Sequence, residues 1–588
     1  MREGIHAGFL GGMDVNNREV AEVFQRIADL LEIKGEEIYR VLAYRRASDT
    51  VRSLGESIEA VWRDGRLEEI PGVGKAISGK IDELLRTGRL EFYEKLTTEI
   101  PPSLIDLLHV GDVGPKKAAR FWKELGITSL DDLEAAAKAG RLKSLRGMGE
   151  RSEKRILESL EALKLRQTDR ILINQAWEIA ADLVASLGKL PGVEKAEVAG
   201  SLRRWRETVG DLDLIAASSD ASSVMNAFLS LPQISRIVGR GETKLSVELH
   251  NGLRTQLWVH PPSHFGTALQ YATGSQAHNV RLRELAKRSG LSLSEHGFMR
   301  QDGSEITCED EEEVYRILGL PWIPAELRED RGEVEAALED RLPKLITQND
   351  LVGELHSHSD WSDGSCTLEE MVRAAQAFGL QYLAITDHSQ SLGVARGLDV
   401  DRLRQQREAI NEIQQAVGDD IRVLQGIEVE ILADGRMDYS DEVLSELDLV
   451  IASLHTSLRQ PRHIITARLL KAIRNPHVDM IAHPTGRLIG SRDPADLDME
   501  AIFETAAEHQ VVLSINASPE RLDLSDVHAR RAMELGCLLA VNTDAHHPEH
   551  LVLQQYGVGV ARRAWVESGS VINCWPYDRV HQWLRARG

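Results

Sequence analysis

Through the second half of the chain one device recurs: a short apolar run that stops at a histidine or a carboxylate. Glu354-Leu355-His356-Ser357-His358 sets two imidazoles at i and i+2, which on a strand face the same way, and Ser362-Asp363-Gly364 adds a carboxylate just beyond. Thr386-Asp387-His388, Gly426-Ile427-Glu428, Ser453-Leu454-His455, Ala482-His483-Pro484 and Thr543-Asp544-Ala545-His546 follow in order, most of them closing runs such as YLAITDH, VLQGIEVE, LVIASLH, MIAHP and LLAVNTDAH. A lone histidine is ordinarily a satisfied polar residue. Repetition at strand ends is different, because the strand C-termini of a parallel barrel converge on one face and bring dispersed ligands together. Imidazole mixed with carboxylate suits manganese, zinc or iron better than magnesium alone. Cations held a few ångströms apart bind a scissile phosphate, acidify a water and stabilise the leaving oxygen, which is the chemistry of hydrolysis.

A second address for metal lies upstream, in Gly210-Asp211-Leu212-Asp213-Leu214. On a strand Asp211 and Asp213 share a face, where adjacent carboxylates repel unless divalent cations neutralise them. The preceding Gly200-Ser201-Leu202-Arg203-Arg204 supplies a turn that could hold a triphosphate through backbone N–H and hydroxyl, with Arg203 and Arg204 adding charge. An isolated D-x-D is more often a solvated pair on an edge strand; here the whole unit is present. Further upstream, IPGVGKAISGKI from Ile70, HVGDVGPKKAARF from His109 and LRGMGERSEKRI from Leu145 repeat a paired-glycine turn before a helix. Paired glycines (Gly72 and Gly74, Gly111 and Gly114, Gly147 and Gly149) turn the backbone tightly and present N–H groups at a helix N-terminus, which suits a phosphate backbone. One such turn is usually only a turn. Three, with Lys75, Lys80, Lys116, Lys117 and Arg151 nearby, point to sequence-independent DNA binding.

The elements that must position these groups follow from the pattern. A chain of 588 residues is too long for one core. From about Asn16 to Leu163 apolar residues keep helical spacing and alternation is nearly absent, so this part is all-helical. Between Lys195 and Val259 short β-rich runs, the last two separated by Asn251-Gly252, predict a small antiparallel sheet. Helical pattern returns near Ala277, and an acidic, strand-free stretch from Glu326 to Asp350 marks the main boundary before a second β/α region. The composition, 42% hydrophobic and 28% charged with no apolar run approaching a membrane span, predicts a soluble, cytoplasmic protein. Four cysteines scattered without C-x-x-C spacing argue against a disulfide framework and against a thiolate zinc site. A net charge of −22 argues against nucleic-acid binding for the chain as a whole but not for one of its modules.

The glycine turns resemble helix-hairpin-helix elements, and the G-S-x-x-R and G-D-x-D unit resembles the palm of DNA polymerase beta-type nucleotidyltransferases. That similarity continues through Arg240-Gly241-Glu242-Thr243-Lys244 and Tyr271-Ala272-Thr273-Gly274-Ser275-Gln276-Ala277-His278-Asn279. The C-terminal motifs resemble the polymerase and histidinol phosphatase (PHP) domain. Together the chain resembles bacterial-type family X DNA polymerases with a C-terminal PHP domain. The resemblance implies a multidomain α/β protein: helix-hairpin-helix modules at 1–95 and 96–165, an α+β palm at 166–262 and thumb at 263–328, a linker at 329–349, and a distorted (β/α)7 barrel at 350–588. It implies Asp211 and Asp213 as catalytic ligands of Mg2+ or Mn2+, nucleotide contacts from Gly200, Ser201, Arg203, Arg204, Tyr271, Gly274 and Asn279, and DNA contacts from the paired glycines with Lys116. It matches Lys80 to a Schiff-base lysine, against the plainer role of phosphate contact. In the barrel it implies a trinuclear Mn2+ or Zn2+ site on His356, His358, Asp363, His388, Glu428, His455, His483, Asp544 and His546, with Glu428 bridging. Asp387 would orient a ligand and Arg487 would hold phosphate. Three positions depart from the family: Gln256 stands where the third palm carboxylate belongs, Ala272 replaces an aromatic residue, and Glu354 replaces aspartate. The function implied is repair of gapped, recessed or abasic DNA by a monomer, with 3′-5′ exonuclease, abasic endonuclease or 3′-phosphatase action in the barrel. Use of deoxynucleotides is put in doubt by Gln256, since an amide brings no charge, although another acid such as Glu248 could serve. The competing readings are a DNA-binding scaffold with a structural metal site and a small-molecule phosphatase.

Overall fold

A computed structural model describes residues 17–52, 54, 57–110, 113–145, 148–149, 152–153, 156–157, 159–160 and 170–587. The chain divides into two compact units, Met1–Gln167 and Thr168–Gly588.

The first unit contains no strand among its described residues. Helices α1 (Asn17–Lys34) and α2 (Ile38–Arg52) bury Val20, Phe24, Ile27 and Leu31 against Val41 and Tyr44, with the Phe24 and Tyr44 rings edge to face at 5.9 Å. Spacing of three and four along α1 puts those residues on one stripe. The first two glycine turns each open a helix, α3 (Lys75–Thr87) behind Gly74 and α4 (Pro115–Leu125) behind Gly114.

In the second unit a five-stranded sheet comprises β1 (Lys195–Val198), β2 (Asp211–Ala217), β3 (Ile234–Arg240), β4 (Lys244–Leu249) and β5 (Arg254–His260), ordered β1-β2-β5-β4-β3. The expectation of an antiparallel sheet is corrected here, because β2 and β5 run parallel, with Asp211 beside Arg254 and Asp213 beside Gln256. Alternation along each run is the same for either direction, so pairing direction depends on the connection. The helix Ala221–Phe228 and two hairpins carry the chain back to lay β5 along β2. Helices α5 (Phe265–Thr273) and α6 (Gln276–Arg288) follow, then a small three-stranded antiparallel sheet over residues 292–306 that the sequence pattern did not disclose.

The C-terminal barrel consists of seven parallel strands in sequential order: β6 (Gly353–Ser357), β7 (Tyr382–Ile385), β8 (Arg422–Glu430), β9 (Leu449–Ser453), β10 (Met480–Ile481), β11 (Val512–Asn516) and β12 (Leu539–Asn542). It closes where Ser357 bridges Ala545, with His358 N donating to Ala545 O at 2.8 Å. Both faces of every strand are covered, so the runs are continuously apolar rather than alternating.

The stretch 329–349, read as a linker, is packed into this second unit and contains the helix Glu333–Leu338. Its acids are acceptors for buried donors. Glu329 pairs with Arg204 at 3.1 Å and with Arg563 at 3.0 Å, and Glu333 accepts from His278 at 2.6 Å. Acidic composition looks the same whether charge is solvated or paired, and only the fold distinguishes them.

Candidate metal centre and palm

All nine histidines and carboxylates of the barrel motifs meet at its C-terminal face. Among the described residues three sets of ligand atoms each gather within 4.8 Å: His358, Asp363, His388 and His546; His356, His358, Glu428 and Asp544; His388, Glu428 and His455. Glu428 belongs to two sets, and His483 Nε2 lies 3.0 Å from its Oε1. Glu428 Oε2 stands 3.0 Å from His388 Nδ1, 3.4 Å from His356 Nε2 and 3.5 Å from His358 Nε2. Both Glu428 oxygens, His356 Nε2, His358 Nδ1 and His388 Nδ1 are buried without a hydrogen-bond partner. Two ligands about 2.1 Å from a tetrahedral ion stand about 3.4 Å apart, so this crowding fits shared cations. Burial would raise the Glu428 carboxyl, but His455, His356 and His388 hold it well below the usual range. His358 is pushed down to about 3 by burial and by His546 and His388, leaving the neutral imidazole that ligates metal. His483 and Asp544 adopt left-handed backbone, with φ of 27° and 56°, a strain that persists where surrounding structure imposes it.

A ring of further residues fixes the ligands. Glu430, two positions beyond Glu428, accepts from His455 Nδ1 at 2.9 Å, and Asn516 at the end of β11 donates to Asp544 at 2.9 Å. Such partners set ring tautomer and orientation. Asp387, expected to orient a ligand from behind, accepts from Ser359 N at 2.8 Å, Ser359 Oγ, Ser362 Oγ and Gln406 Nε2 at 2.6 Å, and so shapes the loop that carries Asp363. Glu354 is buried, pushed up to about 7 by that burial, and ties β6 to the loop after β12 through Thr543 N and Oγ1 at 3.0 and 2.8 Å. Arg487, expected to hold phosphate, is committed to Arg521 O at 2.8 Å and Glu207 Oε2 at 2.7 Å. The arginine that does line the cavity is Arg521, 3.8 Å from Asp544. It follows β11, the one barrel strand without a ligand motif, and ligand counting therefore passed over it.

In the palm, Gly200 and Asp213 touch: a Cβ on Gly200 would stand 2.2 Å from Asp213 Oδ2, and φ of +62° suits glycine there. Asp213 is raised to about 6 by burial and then by Asp211. Gln256 donates its amide N–H to Asp211 Oδ2 at 2.8 Å, occupying one of the carboxylate's oxygens. Glu248 lies in register with Arg254 on β4 and is engaged by Arg236 at 2.8 and 3.2 Å. Arg203 forks onto Glu311 at 2.8 and 3.0 Å, and Arg204 binds Glu329 and Thr273 O, so both expected phosphate groups are paired with acids. Tyr271 sits edge-on to Trp258 at 6.3 Å, Gly274 lies under Arg204, and Asn279 is buried, accepting from Gln270 and donating to Tyr271 O, both at 2.8 Å.

In the helical unit Gly72, Gly74, Gly114, Lys75 and Lys116 are exposed at the turns. The Arg46 side chain fills the space beside Gly72, where a Cβ would stand 2.7 Å from it. Lys80 Nζ donates to Ala76 O at 3.3 Å and lies 5.2 Å from the Phe92 ring. Gly111, Gly147 and Arg151 lie outside the described residues.

Fold and site define a nucleotidyltransferase palm joined to a barrel whose strand ends gather histidines and carboxylates that could hold metal, with helical modules earlier in the chain. Family models agree: helix-hairpin-helix domain at residues 15–90, SAM-like helix-hairpin-helix tandem at 104–162, DNA polymerase beta thumb at 268–329 and PHP domain at 354–518. The chain is 39% identical over 575 residues to the DNA polymerase/3′-5′ exonuclease PolX of Bacillus subtilis, covering 97% of this chain and 100% of that one. DNA polymerase lambda of Rattus norvegicus is 26% identical over 341 residues, 52% of this chain and 55% of its own. A probable phosphatase of Caldanaerobacter subterraneus is 31% identical over 208 residues, 33% of this chain and 76% of its own. The chain belongs to the PolX family of DNA polymerase X and 3′-5′ exonuclease enzymes.

Proposed function

We propose that this protein is a monomeric, cytoplasmic DNA-repair enzyme whose barrel trims 3′ ends of gapped, recessed or abasic DNA, and whose palm transfers nucleotides weakly. The observation that carries the barrel reading is the set of orphaned, buried Glu428 and histidine atoms at one strand-end face. Cations there, three of manganese or zinc, supply charge neutralisation and a more acidic water. The residues of the chain hold and orient: Glu428 links the sets, Glu430 and Asn516 fix His455 and Asp544, and Arg521 offers a fork to a phosphate oxygen. The weak palm rests on Gln256, which donates to Asp211 where a third carboxylate would help hold Mg2+ or Mn2+. Gly72, Gly74, Gly114 and Lys116 at exposed helix starts support backbone contact with DNA, and the family models at 15–90 and 104–162 favour a polymer over a small phosphate ester. Lys80 acts as a phosphate contact or as a lyase nucleophile. Borohydride trapping on abasic DNA decides between these, and loss of the trapped complex in Lys80→Ala is the lyase outcome.

The deciding experiment follows a labelled primer on gapped DNA in manganese, with and without nucleotides. The wild type shortens the primer, and His356→Ala with His358→Ala removes that activity by roughly a thousandfold or more. Trimming that survives the double substitution places the nuclease elsewhere.

A further inference from the structure

Beyond the candidate ligands and Arg521, the described residues that line the cavity are Leu392, Val394 and Ala395, all from one loop. Val394 is 99% exposed. A single exposed valine is unremarkable on a surface; its mounting is not. The loop leaves from the ligand His388 and returns to it, Leu398 N donating to His388 O at 2.8 Å. Its base is pinned to β8, where Ser389 N donates to Glu428 O at 3.2 Å and Ser389 Oγ accepts from Glu430 N at 3.0 Å. Asp438 accepts from Ser391 N at 2.7 Å, and Arg402 donates to Arg396 O at 2.8 Å. Gly397 is required for this closure, since a Cβ there would stand 1.9 Å from Ser389 O. The tip itself is one 3-10 turn, Gly393–Ala395, ended by Arg396 in left-handed conformation. An apolar tip is thus held rigidly to the same backbone that carries His388 and Glu428.

Resting on the reading of the barrel as a DNA hydrolase, we infer that this tip receives the terminal nucleobase of the strand being trimmed. The cavity measures about 240 Å³, small beside ordinary ligand pockets of roughly 300–1,000 Å³. Its wall of imidazoles, carboxylates and Arg521 suits the phosphate together with cations, and among the described lining residues the apolar surface left for a base is exposed Val394 with half-buried Leu392, Ala395 being buried beneath them. Exposed Arg396 beside the tip adds a cation for the neighbouring phosphate. Apolar side chains pressed against a base take the place of the stacking partner it leaves, as wedge residues do in other nucleic-acid complexes. Val394 is therefore a specificity-determining residue: it distinguishes a strand whose terminal base can press against it from a phosphodiester that has no base.

The test uses the full-length protein in manganese with two probes, single-stranded DNA carrying 2-aminopurine as its last base and bis(p-nitrophenyl) phosphate, which has no base. Wild-type hydrolysis of neither probe would overturn the hydrolase reading itself. With hydrolysis present, Val394→Ser is expected to lower the ratio of DNA trimming to bis(p-nitrophenyl) phosphate hydrolysis about tenfold. It is also expected to lose the fluorescence change of a 2-aminopurine strand protected from cleavage by a terminal phosphorothioate. A wild-type ratio with wild-type fluorescence overturns the inference. So does an equal fall in hydrolysis of both probes, which makes the tip a mere brace for the metal centre. The side chain is solvent-exposed, so the substitution leaves folding intact.

Discussion

Gln256 is the residue on which the palm turns. It stands in register with Asp213 and donates to Asp211, so it both lacks the charge of a third ligand and takes up one oxygen of another. Gln256→Asp removes that donor and adds a carboxylate, and primer extension in manganese is expected to rise by about tenfold or more, a change of about 1.4 kcal/mol in barrier. Unchanged extension would place the limitation at Arg203 and Arg204, which Glu311 and Glu329 hold in pairs. At this scale the sequence was readable where a residue type repeats at strand ends: that signal singled out all nine histidines and carboxylates that the fold brings together at the barrel face. Arg521 and Glu430 were not singled out. Arginine is common on surfaces, and one strand carried two glutamates facing the same way, of which only the fold shows that Glu428 faces the ligands and Glu430 braces His455. Arg487 misled for the same reason, since a basic residue after a His-Pro motif looks alike whether it points into the cavity or at Glu207.

Elements set which strand ends meet. β6 and β7 approach so closely that Gly353 faces the ring of Tyr382, and a Cβ there would stand 1.9 Å away. The ring is held in place, because its hydroxyl shares its one proton between Ile572 O at 3.0 Å and Trp575 O at 3.1 Å. Gly353→Ala is accordingly expected to destabilise the barrel by about 1–3 kcal/mol, read as a melting temperature lowered by a few degrees in calorimetry. An unshifted transition would mean that β6 moves freely, in conflict with its closure on Ala545. Strand runs were legible as elements because each is short, apolar and ends in a motif. Their pairing was less so. Period-two alternation carries no direction, and β2 and β5 turned out parallel. The two-residue strands near residues 292–306 are too short to show any period.

Over the whole second unit, buried ion pairs do the joining. Glu329, from a stretch that reads as a linker, accepts from Arg204 and Arg563, while Asp526 pairs with Arg563 at 2.9 Å and Arg331 at 3.0 Å. Burial alone would raise Glu329, but Arg563 and Arg204 hold it down at about 2. Its folded pKa is below the unfolded one near 4.5, so its contribution is present above that value and is lost as pH falls from about 5 towards 2. Glu329→Gln is expected to lower the melting temperature at pH 7 and to flatten the acid limb of the stability curve. A mutant curve parallel to wild type throughout that window would remove the proposed role. Trp205, in left-handed backbone and packed beside Trp177 and Tyr556, covers Gly559 so closely that a Cβ there would stand 2.4 Å from its ring. Considered as heredity rather than energy, this seating restricts recombination. A barrel from a relative with any side chain at position 559 would not accept this palm, and a palm without the indole would leave a hole over the helix Gln554–Arg563. Exchange between lineages that cuts between palm and barrel is therefore disfavoured.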